Sequence, residues 1–217
     1  MKPFEREKLL LPDFGRTPDL PWNPNATPDD LVASEKEAAL LFGPGVTVEE
    51  KIDGASVGIR HADGEEPVLR NRDHILRKGY LKDTPAKLQF RPLWGWYYER
   101  RDRFEALNRL LGFEVSVYGE WLYARHSLPY DRLPELFLAH SLYNSEERAF
   151  VPQIAAREAL LAAGFRVPRL IAERVSSREE IEGWMSLPSE FGDCRVEGVY
   201  VKVNDPATGE LHRFKSV

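Results

Sequence analysis

Short apolar runs, bounded by turn-forming residues, recur along the chain and determine its predicted secondary structure. Runs of this kind between clusters of glycine, proline, asparagine and aspartate indicate β-strands. An Asp63-Gly64 dipeptide between two of the runs favours a hairpin. The pattern predicts strands over residues 46–50, 55–61, 67–70, 113–122, 136–142, 196–203 and 211–217.

Four stretches have the features of helices instead. Thr27, followed by a proline and two aspartates, predicts a helix start, and Gly43 predicts the end of that helix. A loose helical spacing of apolar residues covers 93–111, and a further helix is predicted over 152–163. Ser177, with a glutamate three residues later, forms a capping-box pattern that predicts the fourth helix start.

Strands that alternate unevenly with helices, with several hairpins, predict an α+β fold of largely antiparallel sheets flanked by helices. We expect one domain over residues 1–217, without a separate C-terminal domain. Residues 1–28 are rich in proline, asparagine and aspartate, which disfavours a long regular element. Because Phe14, Leu20 and Trp22 would otherwise be exposed, we expect these residues to form an ordered N-terminal arm.

The composition is that of an ordinary globular protein, with 42% hydrophobic and 30% charged residues among 217. No apolar run approaches the roughly 18 residues that a membrane span needs, and the first residues lack the apolar centre of a signal peptide. We therefore expect a cytoplasmic protein. The single cysteine, Cys194, excludes an internal disulfide and a cysteine-cluster zinc site.

The distribution of charge matters more than its total. A net charge of −5 alone argues against a polyanionic partner. Residues 70–109, however, contain eleven basic and five acidic side chains, a net +6, which leaves −11 for the remainder. This segment is therefore a candidate nucleic-acid surface.

Charged side chains lie beside or within the predicted strands at five places. They are found in Lys51-Ile52-Asp53-Gly54, in Arg70-Asn71-Arg72, at Glu120, in the run from Glu197 to Lys202, and in Arg213-Phe214-Lys215. A single lysine of this kind is as compatible with a surface turn as with a nucleophile. Since an unpaired charge is costly to bury, five such positions in one domain predict a shared polar pocket.

These motifs, in this order, resemble those of the covalent nucleotidyltransferase superfamily of ATP-dependent ligases and mRNA-capping enzymes, and within it the RNA ligase family. The resemblance extends from Lys51 to Lys215 and includes the Gly-Glu-Trp-Leu-Tyr-Ala-Arg-His-Ser run that begins at Gly119. It implies a nucleotidyltransferase domain with a nucleotide pocket between its sheets. It also implies an ATP-dependent RNA ligase that joins RNA 3′-hydroxyl and 5′-phosphate ends through a lysyl-AMP intermediate and an adenylylated 5′ end.

The resemblance implies a catalytic role for three lysines. Lys51 would attack the α-phosphorus of ATP, and Lys202 and Lys215 would hold the α-phosphate. Only a neutral amine is nucleophilic, so neighbouring cations or a bound metal would have to depress the lysine pKa. Glu197 would hold Mg²⁺ or Mn²⁺, and Asp53 would fix either the turn or a metal-bound water.

A second set of residues is implied to bind the nucleotide. Glu120 would accept hydrogen bonds from the ribose. His140 and Ser141 stand where the family has an aromatic residue followed by aspartate, and the histidine would stack on the purine. Arg70 would contact a phosphate or the incoming 5′-phosphate end, with Arg72 as an equal alternative.

The residues on either side of Lys51 have two competing interpretations. The backbone at Glu49 or Glu50 and the apolar side chain of Ile52 would line the adenine, or the two glutamates would simply be charges at a strand edge. A further departure from the family lies in the last motif, where Arg213 replaces a lysine; arginine keeps the charge and favours bidentate phosphate contacts.

The implied partner is RNA with 3′-hydroxyl and 5′-phosphate ends, with no membrane and no obligate protein partner. The basic side chains expected to contact RNA are Arg72, Arg77, Lys78, Arg100, Arg101 and Arg213. In the competing interpretation, the arginines around 100 lie on the solvated face of a helix whose aromatic residues face the core. A DNA ligase, a GTP-dependent capping-type enzyme and a non-catalytic nucleotide- or RNA-binding module are the alternative functions.

Overall fold

The computed structural model describes residues 9–72, 74–77 and 88–217. The described helices are α1 (Glu35–Ala38, continued by a 3₁₀ turn over Ala39–Phe42), α2 (Arg91–Glu99), α3 (Arg101–Leu111), α4 (Gln153–Ala162) and α5 (Arg178–Trp184). The described strands are β1 (Val46–Lys51), β2 (Ala55–Arg60), β3 (Val68–Asn71), β4 (His74–Leu76), β5 (Val115–Trp121), β6 (Phe137–Asn144), β7 (Ala149–Phe150), β8 (Leu170–Ala172), β9 (Gly198–Asn204) and β10 (Leu211–Ser216).

The strands form two antiparallel sheets. The smaller sheet has the order β10-β9-β1-β8, and the larger has the order β4-β3-β2-β5-β6-β7. This arrangement confirms the predicted α+β class. The chain passes from the small sheet to the large one in three residues, between Lys51 at the end of β1 and Ala55 at the start of β2.

Each sheet has an apolar outer face and a more polar inner face, because alternate residues of a strand point to opposite sides. On the large sheet, α2, α3 and α4 cover the outer face with a cluster that includes Trp96, Phe104 and Leu160. On the small sheet, Leu41 and Ile181 pack against the valines of β9. The inner faces are left to the charged side chains of the strands.

The predicted helix start at Thr27 is wrong. Thr27 instead donates its backbone N–H and hydroxyl to Asp30 Oδ2 in a local turn. The chain then pairs with the N-terminal arm, since Asp19 N donates to Leu31 O at 2.7 Å and Ala33 N donates to Asp19 O at 2.9 Å. The helix begins only after Ser34, which forms a reciprocal capping box with the third helical residue.

The predicted helix over 93–111 is divided in two at Arg100, whose φ of −126° is not helical. Gly112 ends the second helix in the left-handed region, with φ 79°. Ser177 caps α5 as expected, but the glutamate three residues later accepts from Ser176 N and not from Ser177 N. The short strands β4, β7 and β8 were not predicted by the hydrophobic pattern.

The N-terminal arm, here residues 9–28 because residues 1–8 lie outside the described part, packs against both sheets. Leu11, Phe14 and Leu20 are buried. None of the described helices has the length and apolar character that crossing a membrane requires.

Candidate active site

Lys51 lies at the point where the chain leaves the small sheet. It pairs in register with Gly198 of β9, so the preceding Glu197 faces it, and Lys51 Nζ donates to Glu197 Oε2 at 2.5 Å. Both side chains are about one-fifth exposed, at 20% and 24%. The predicted nucleophile and the predicted metal carboxylate are thus direct neighbours.

Glu120 lies across the cleft from Lys51, on the inner face of β5. Its Oε2 is buried and has no hydrogen-bond partner among the described residues. Burial raises the pKa of this carboxyl to about 8, against the opposing effect of the Lys51 ammonium. A buried acceptor without donors is costly on its own, and the hydroxyls of a ribose would supply the missing donors.

Lys202 is also on an inner face, but its ammonium group is inside the protein. It is 0% exposed, and Nζ donates to Glu49 Oε2 at 2.6 Å and to His140 O at 2.7 Å. Burial lowers its pKa, which the Glu49 carboxylate opposes. Lys202 therefore lies behind the cleft wall, and its expected direct contact with the α-phosphate is not available in this arrangement.

Neither of the two glutamates before Lys51 is a free strand-edge charge. Glu49 pairs with Lys202 and with Arg157 Nη1 at 3.0 Å. Glu50 accepts from Ser189 Oγ at 2.5 Å, and burial raises its pKa. Both residues line the cleft, with their carboxylates hydrogen-bonded to protein partners, and the expected contact with adenine stays a prediction.

The expected metal role of Asp53 has to be revised. Its Oδ2 accepts hydrogen bonds from Ser127 N at 2.7 Å, Ser127 Oγ at 2.5 Å and Leu128 N at 2.9 Å. Burial acts to raise its pKa, but these hydrogen bonds hold the pKa below the usual value. Asp53 thus joins the turn after Lys51 to the loop after β5.

Arg70 and Arg72 have different surroundings in the structure. Arg70 is buried and donates to Leu11 O at 2.9 Å and to Arg72 O at 2.6 Å, so its guanidinium fixes backbone. Arg72, with a left-handed φ of 36°, lines the cleft beside Lys51 and Lys215. Of the two alternatives, Arg72 is the one placed to meet a phosphate.

His140 lies at the inner part of the site, and its expected stacking on the purine stays a prediction. The side chain is buried at the cleft, with its ring 5.0 Å from that of Phe14 and 6.1 Å from that of Tyr200. Burial, assisted by the Lys202 ammonium, lowers the pKa of the imidazole well below its ordinary value. The ring is therefore neutral at physiological pH.

Two cavities meet at Lys51 and form one cleft between the sheets. The inner part is lined by Glu49, Glu50, Lys51, Ile52, Glu120, His140, Pro168 and Tyr200. The outer part is lined by Phe14, Gly15, Arg16, Thr17, Lys51, Ile52, Gly54, Ser56, Arg72, Glu120, Tyr200 and Lys215. The inner part exposes more apolar than polar surface, although Lys51 and three glutamates are among its lining residues, whereas the outer part is mostly polar, with four cations and one carboxylate.

Lys215 is in the outer part of the cleft, where its Nζ pairs with Asp19 Oδ2 of the arm at 3.1 Å. Arg213, two residues earlier on the same strand face, lies 3.9 Å above the Phe14 ring, and its Nη1 is buried without a partner among the described residues. Its stacked position makes Arg213 a support of the cleft wall.

Among the remaining candidate RNA contacts, Arg77, Arg100 and Arg101 are not lining residues of the cleft. Arg100 pairs with Glu135, and Arg101 pairs with Glu105 at 3.0 Å, so both arginines form ion pairs with carboxylates on the helical side of the large sheet. Arg77 is exposed after β4. Lys78 lies outside the described residues.

Sequence reasoning missed Tyr200 and Arg157. Tyr200 lines both parts of the cleft, and its position two residues before Lys202 on one strand was a usable signal, because residues two apart share a face. Arg157 lies on α4 and reaches Glu49 from the other sheet's helical layer. No local pattern marks such a contact.

Two antiparallel sheets that enclose a cleft, with a lysine at the turn between them, define a nucleotidyltransferase-type fold. The chain matches the RNA ligase family over residues 45–217, and it belongs to that family. No protein with a curated functional description shows significant sequence similarity to it.

Solved structures of an RNA ligase from Naegleria gruberi share the fold. The complex with PPi is 17% identical, with a TM-score of 0.58, over 83% of this chain and 52% of that one. A lysine-to-alanine mutant with ATP and Mn gives 17% identity and a TM-score of 0.59, over 84% and 53%. A glutamate-to-alanine mutant with AMP and Mn gives 17% and 0.60, over 84% and 52%. The chain therefore spans about half the length of these proteins.

Proposed function

We propose that the protein is an ATP-dependent RNA ligase that joins RNA 3′-hydroxyl and 5′-phosphate ends through a lysyl-AMP intermediate. The observation that carries the proposal is the position of Lys51 at the junction of two unlike halves of one cleft. A nucleoside suits the more apolar inner half and its phosphates suit the cationic outer half, and in that orientation the α-phosphorus would lie at Lys51. Family membership and the structural neighbours, which are complexes of an RNA ligase with PPi, with ATP and Mn, and with AMP and Mn, support the same chemistry.

In the first step, Lys51 Nζ attacks the α-phosphorus. A P–N bond forms, the bond between the α-phosphorus and the bridging oxygen breaks, and pyrophosphate leaves through the outer part of the cleft. The amine must lose a proton to become nucleophilic, and the Glu197 carboxylate at 2.5 Å is placed to accept it.

Glu197 is also the carboxylate that fits a divalent cation. Only one of its oxygens contacts Lys51, and hard cations such as Mg²⁺ and Mn²⁺ prefer oxygen ligands. When bound, such an ion would neutralise charge on the phosphates. Asp53, with three hydrogen bonds to one oxygen, is better suited to holding the loop than to holding the ion.

The next two steps transfer AMP to the RNA and seal it. An oxygen of the RNA 5′-phosphate attacks the phosphorus of lysyl-AMP and displaces Lys51 as an amine. The 3′-hydroxyl then attacks the adenylylated 5′-phosphate, forms the phosphodiester and releases AMP. Arg72 and Lys215 are the cations placed to hold these phosphates.

Lys202 contributes from behind the cleft wall. Its bonds to Glu49 on β1 and to His140 O on β6 join the small sheet to the large one next to the inner cavity. We assign it the role of positioning the wall that carries His140, with its buried charge adding to the positive potential at the α-phosphate.

The test of the first step is covalent labelling. Purified protein with Mg²⁺ or Mn²⁺ and α-³²P-ATP is expected to acquire an acid-labile label that survives denaturation. Lys51→Ala should abolish the label, whereas Lys36→Ala, which changes an exposed lysine of α1, should leave it intact. Label on Lys51→Ala, or none on the wild type, would refute the mechanism.

The test of the substrate is a comparison of ends. Single-stranded and nicked RNA and DNA, each with a 5′-phosphate, are offered to the adenylylated protein, and joining is followed on denaturing gels. The proposal expects joining only when the 3′-hydroxyl end is RNA. Equal joining of DNA would favour a DNA ligase, and label from α-³²P-GTP in preference to ATP would favour a capping-type enzyme.

A further inference from the structure

The N-terminal arm crosses the mouth of the cleft, although it lies before residue 45, where the match to the family begins. We propose that Arg16 of this arm completes a phosphate-binding subsite in the outer cleft. The inference rests on the proposed function for the identity of its substrates. The shared chemistry is a phosphate group, supplied either by the β- and γ-phosphates of ATP or by the 5′-phosphate of RNA.

The arm is fixed to both sheets, one anchor on each side of the cleft. On the large sheet, Tyr118 Oη donates to Pro12 O at 2.6 Å. On the small sheet, Lys215 N donates to Pro18 O at 3.0 Å and Leu20 N donates to Lys215 O at 2.9 Å. Residues 13–17 therefore span the gap between two fixed points.

The spanning segment is ordered by packing as well as by backbone bonds. Phe14 is only 7% exposed, with its ring 5.1 Å from that of Tyr118 and 5.0 Å from that of His140. Gly15 has a φ of 75°, which a side chain would strain. Thr17 Oγ1 lies 2.6 Å from Tyr200 Oη on the floor of the cleft. Arg16 is thus held between two residues that are themselves attached to the cleft.

The charges of the outer cleft show what Arg16 adds. Lys51 forms an ion pair with Glu197, and Lys215 forms an ion pair with Asp19 at 3.1 Å. Arg16 has a weaker partner, Asp30 at 3.9 Å, and donates one hydrogen bond to a backbone carbonyl at 3.1 Å. Its side chain is 61% exposed and borders the cleft, so the guanidinium is accessible to a ligand. A guanidinium fork matches two phosphate oxygens at once.

The test compares Arg16→Ala with Arg109→Ala, a change of an exposed arginine on α3. Thermal melting first confirms that both variants are folded. Pyrophosphate binding is measured by calorimetry, and the KM for ATP is measured from the rate of lysyl-AMP labelling. Loss of one exposed charged contact should weaken pyrophosphate binding or raise the KM about five- to tenfold in Arg16→Ala alone. Arg16→Lys keeps the positive charge but lacks the two-pronged guanidinium, so its pyrophosphate affinity and KM should lie between those of the wild type and those of Arg16→Ala.

A second experiment distinguishes whether the phosphate belongs to ATP or to the RNA end. The pre-formed lysyl-AMP protein is given 5′-phosphorylated RNA, and AMP transfer is followed over a range of RNA concentrations. A defect of Arg16→Ala in ATP or pyrophosphate binding assigns the subsite to the triphosphate, and a defect in AMP transfer assigns it to the RNA end. Behaviour equal to Arg109→Ala in every measurement overturns the inference.

Failure of the proposed function would be visible separately. If the wild type formed no lysyl-AMP, the calorimetric comparison with pyrophosphate would still decide whether Arg16 binds phosphate. Weaker binding by Arg16→Ala would support the subsite, and equal binding would refute it.

Discussion

Replacing Glu120 by glutamine should stabilise the ligand-free protein while weakening its reaction with ATP. The carboxyl is buried at Oε2 without a partner among the described residues, and its pKa is raised to about 8. In the unfolded chain the value is 4.5. The folded state therefore holds the proton more tightly than the unfolded state between these two pH values, so the stability falls as the pH rises through this window.

The magnitude follows from the difference in pKa. Each pKa unit corresponds to about 1.36 kcal/mol, so a pKa of about 8, which already includes the attraction of the Lys51 ammonium, corresponds to a cost of up to about 5 kcal/mol above pH 8 and nothing below about pH 4.5. Because water in the cleft softens this cost, we expect about 2–4 kcal/mol to remain. For a chain of this size, that corresponds to a rise in Tm of roughly 5–12 °C.

The assay is thermal and urea unfolding of wild type and Glu120→Gln at pH 5 and pH 8.5. The variant should be the more stable protein at pH 8.5 and close to wild type at pH 5. Glu158→Gln, which changes an exposed glutamate of α4, serves as the matched control and should show no pH-dependent difference. A stability difference of equal size at both pH values would refute the reasoning.

The same change should separate stability from function. Since the ribose hydroxyls would bind the ionised carboxylate, the apparent affinity of the wild type for ATP should rise with pH up to about 8. Loss of charge-assisted hydrogen bonds should lower the efficiency of lysyl-AMP formation by Glu120→Gln at least about tenfold. A fully active variant would exclude Glu120 from nucleotide binding.

Three further predictions follow from individual contacts. Arg72→Ala should impair labelling with little loss of stability, whereas Arg70→Ala should loosen the arm and lower the Tm; the opposite pattern would contradict their assignment. Lys202→Met should lower the free energy of unfolding by about 3–5 kcal/mol in urea, because it leaves the Glu49 carboxylate buried with one partner fewer. Adding Glu49→Gln to this variant should recover part of the loss. Gly198→Ala should cost about 1–3 kcal/mol or reduce soluble yield, since its Cβ would lie 2.1 Å from a backbone oxygen of β10; a neutral effect on the Tm would show that the strands can separate there.

The strand pattern was sufficient to predict most strands and the end of β1 at Lys51, but not how the strands divide into two sheets. Apolar runs bounded by turns predicted seven of the ten described strands, and the Asp-Gly turn after Lys51 is where the chain changes sheets. These features depend on near neighbours in the sequence. The wrong helix start at Thr27 has a different origin. Leu31 and Ala33, which follow Thr27, form backbone hydrogen bonds with Asp19 instead of continuing a helix, and no local sequence pattern reveals this pairing.

Side-chain partners were the part that the sequence could not predict. Lys202 and Lys215 have similar surroundings in the sequence, each within an apolar strand. The structure buries the first against Glu49 and leaves the second in the cleft beside Asp19. The difference depends on which distant segment packs over each lysine, and a single sequence does not contain that information.

Glu49 and Glu120 differ in whether their carboxylates already have partners within the protein. Both carboxylates face the space between the sheets, and both would be costly if left alone. Glu49 is fully answered by Lys202 and Arg157, so it gains nothing from a ligand. Glu120 has a buried oxygen without a donor among the described residues, so a ligand with hydroxyl groups would relieve its cost. An unpaired polar group in a cleft is therefore a stronger indication of a binding site than the number of charges around it, and this is the basis on which we propose that Glu120 binds the ribose.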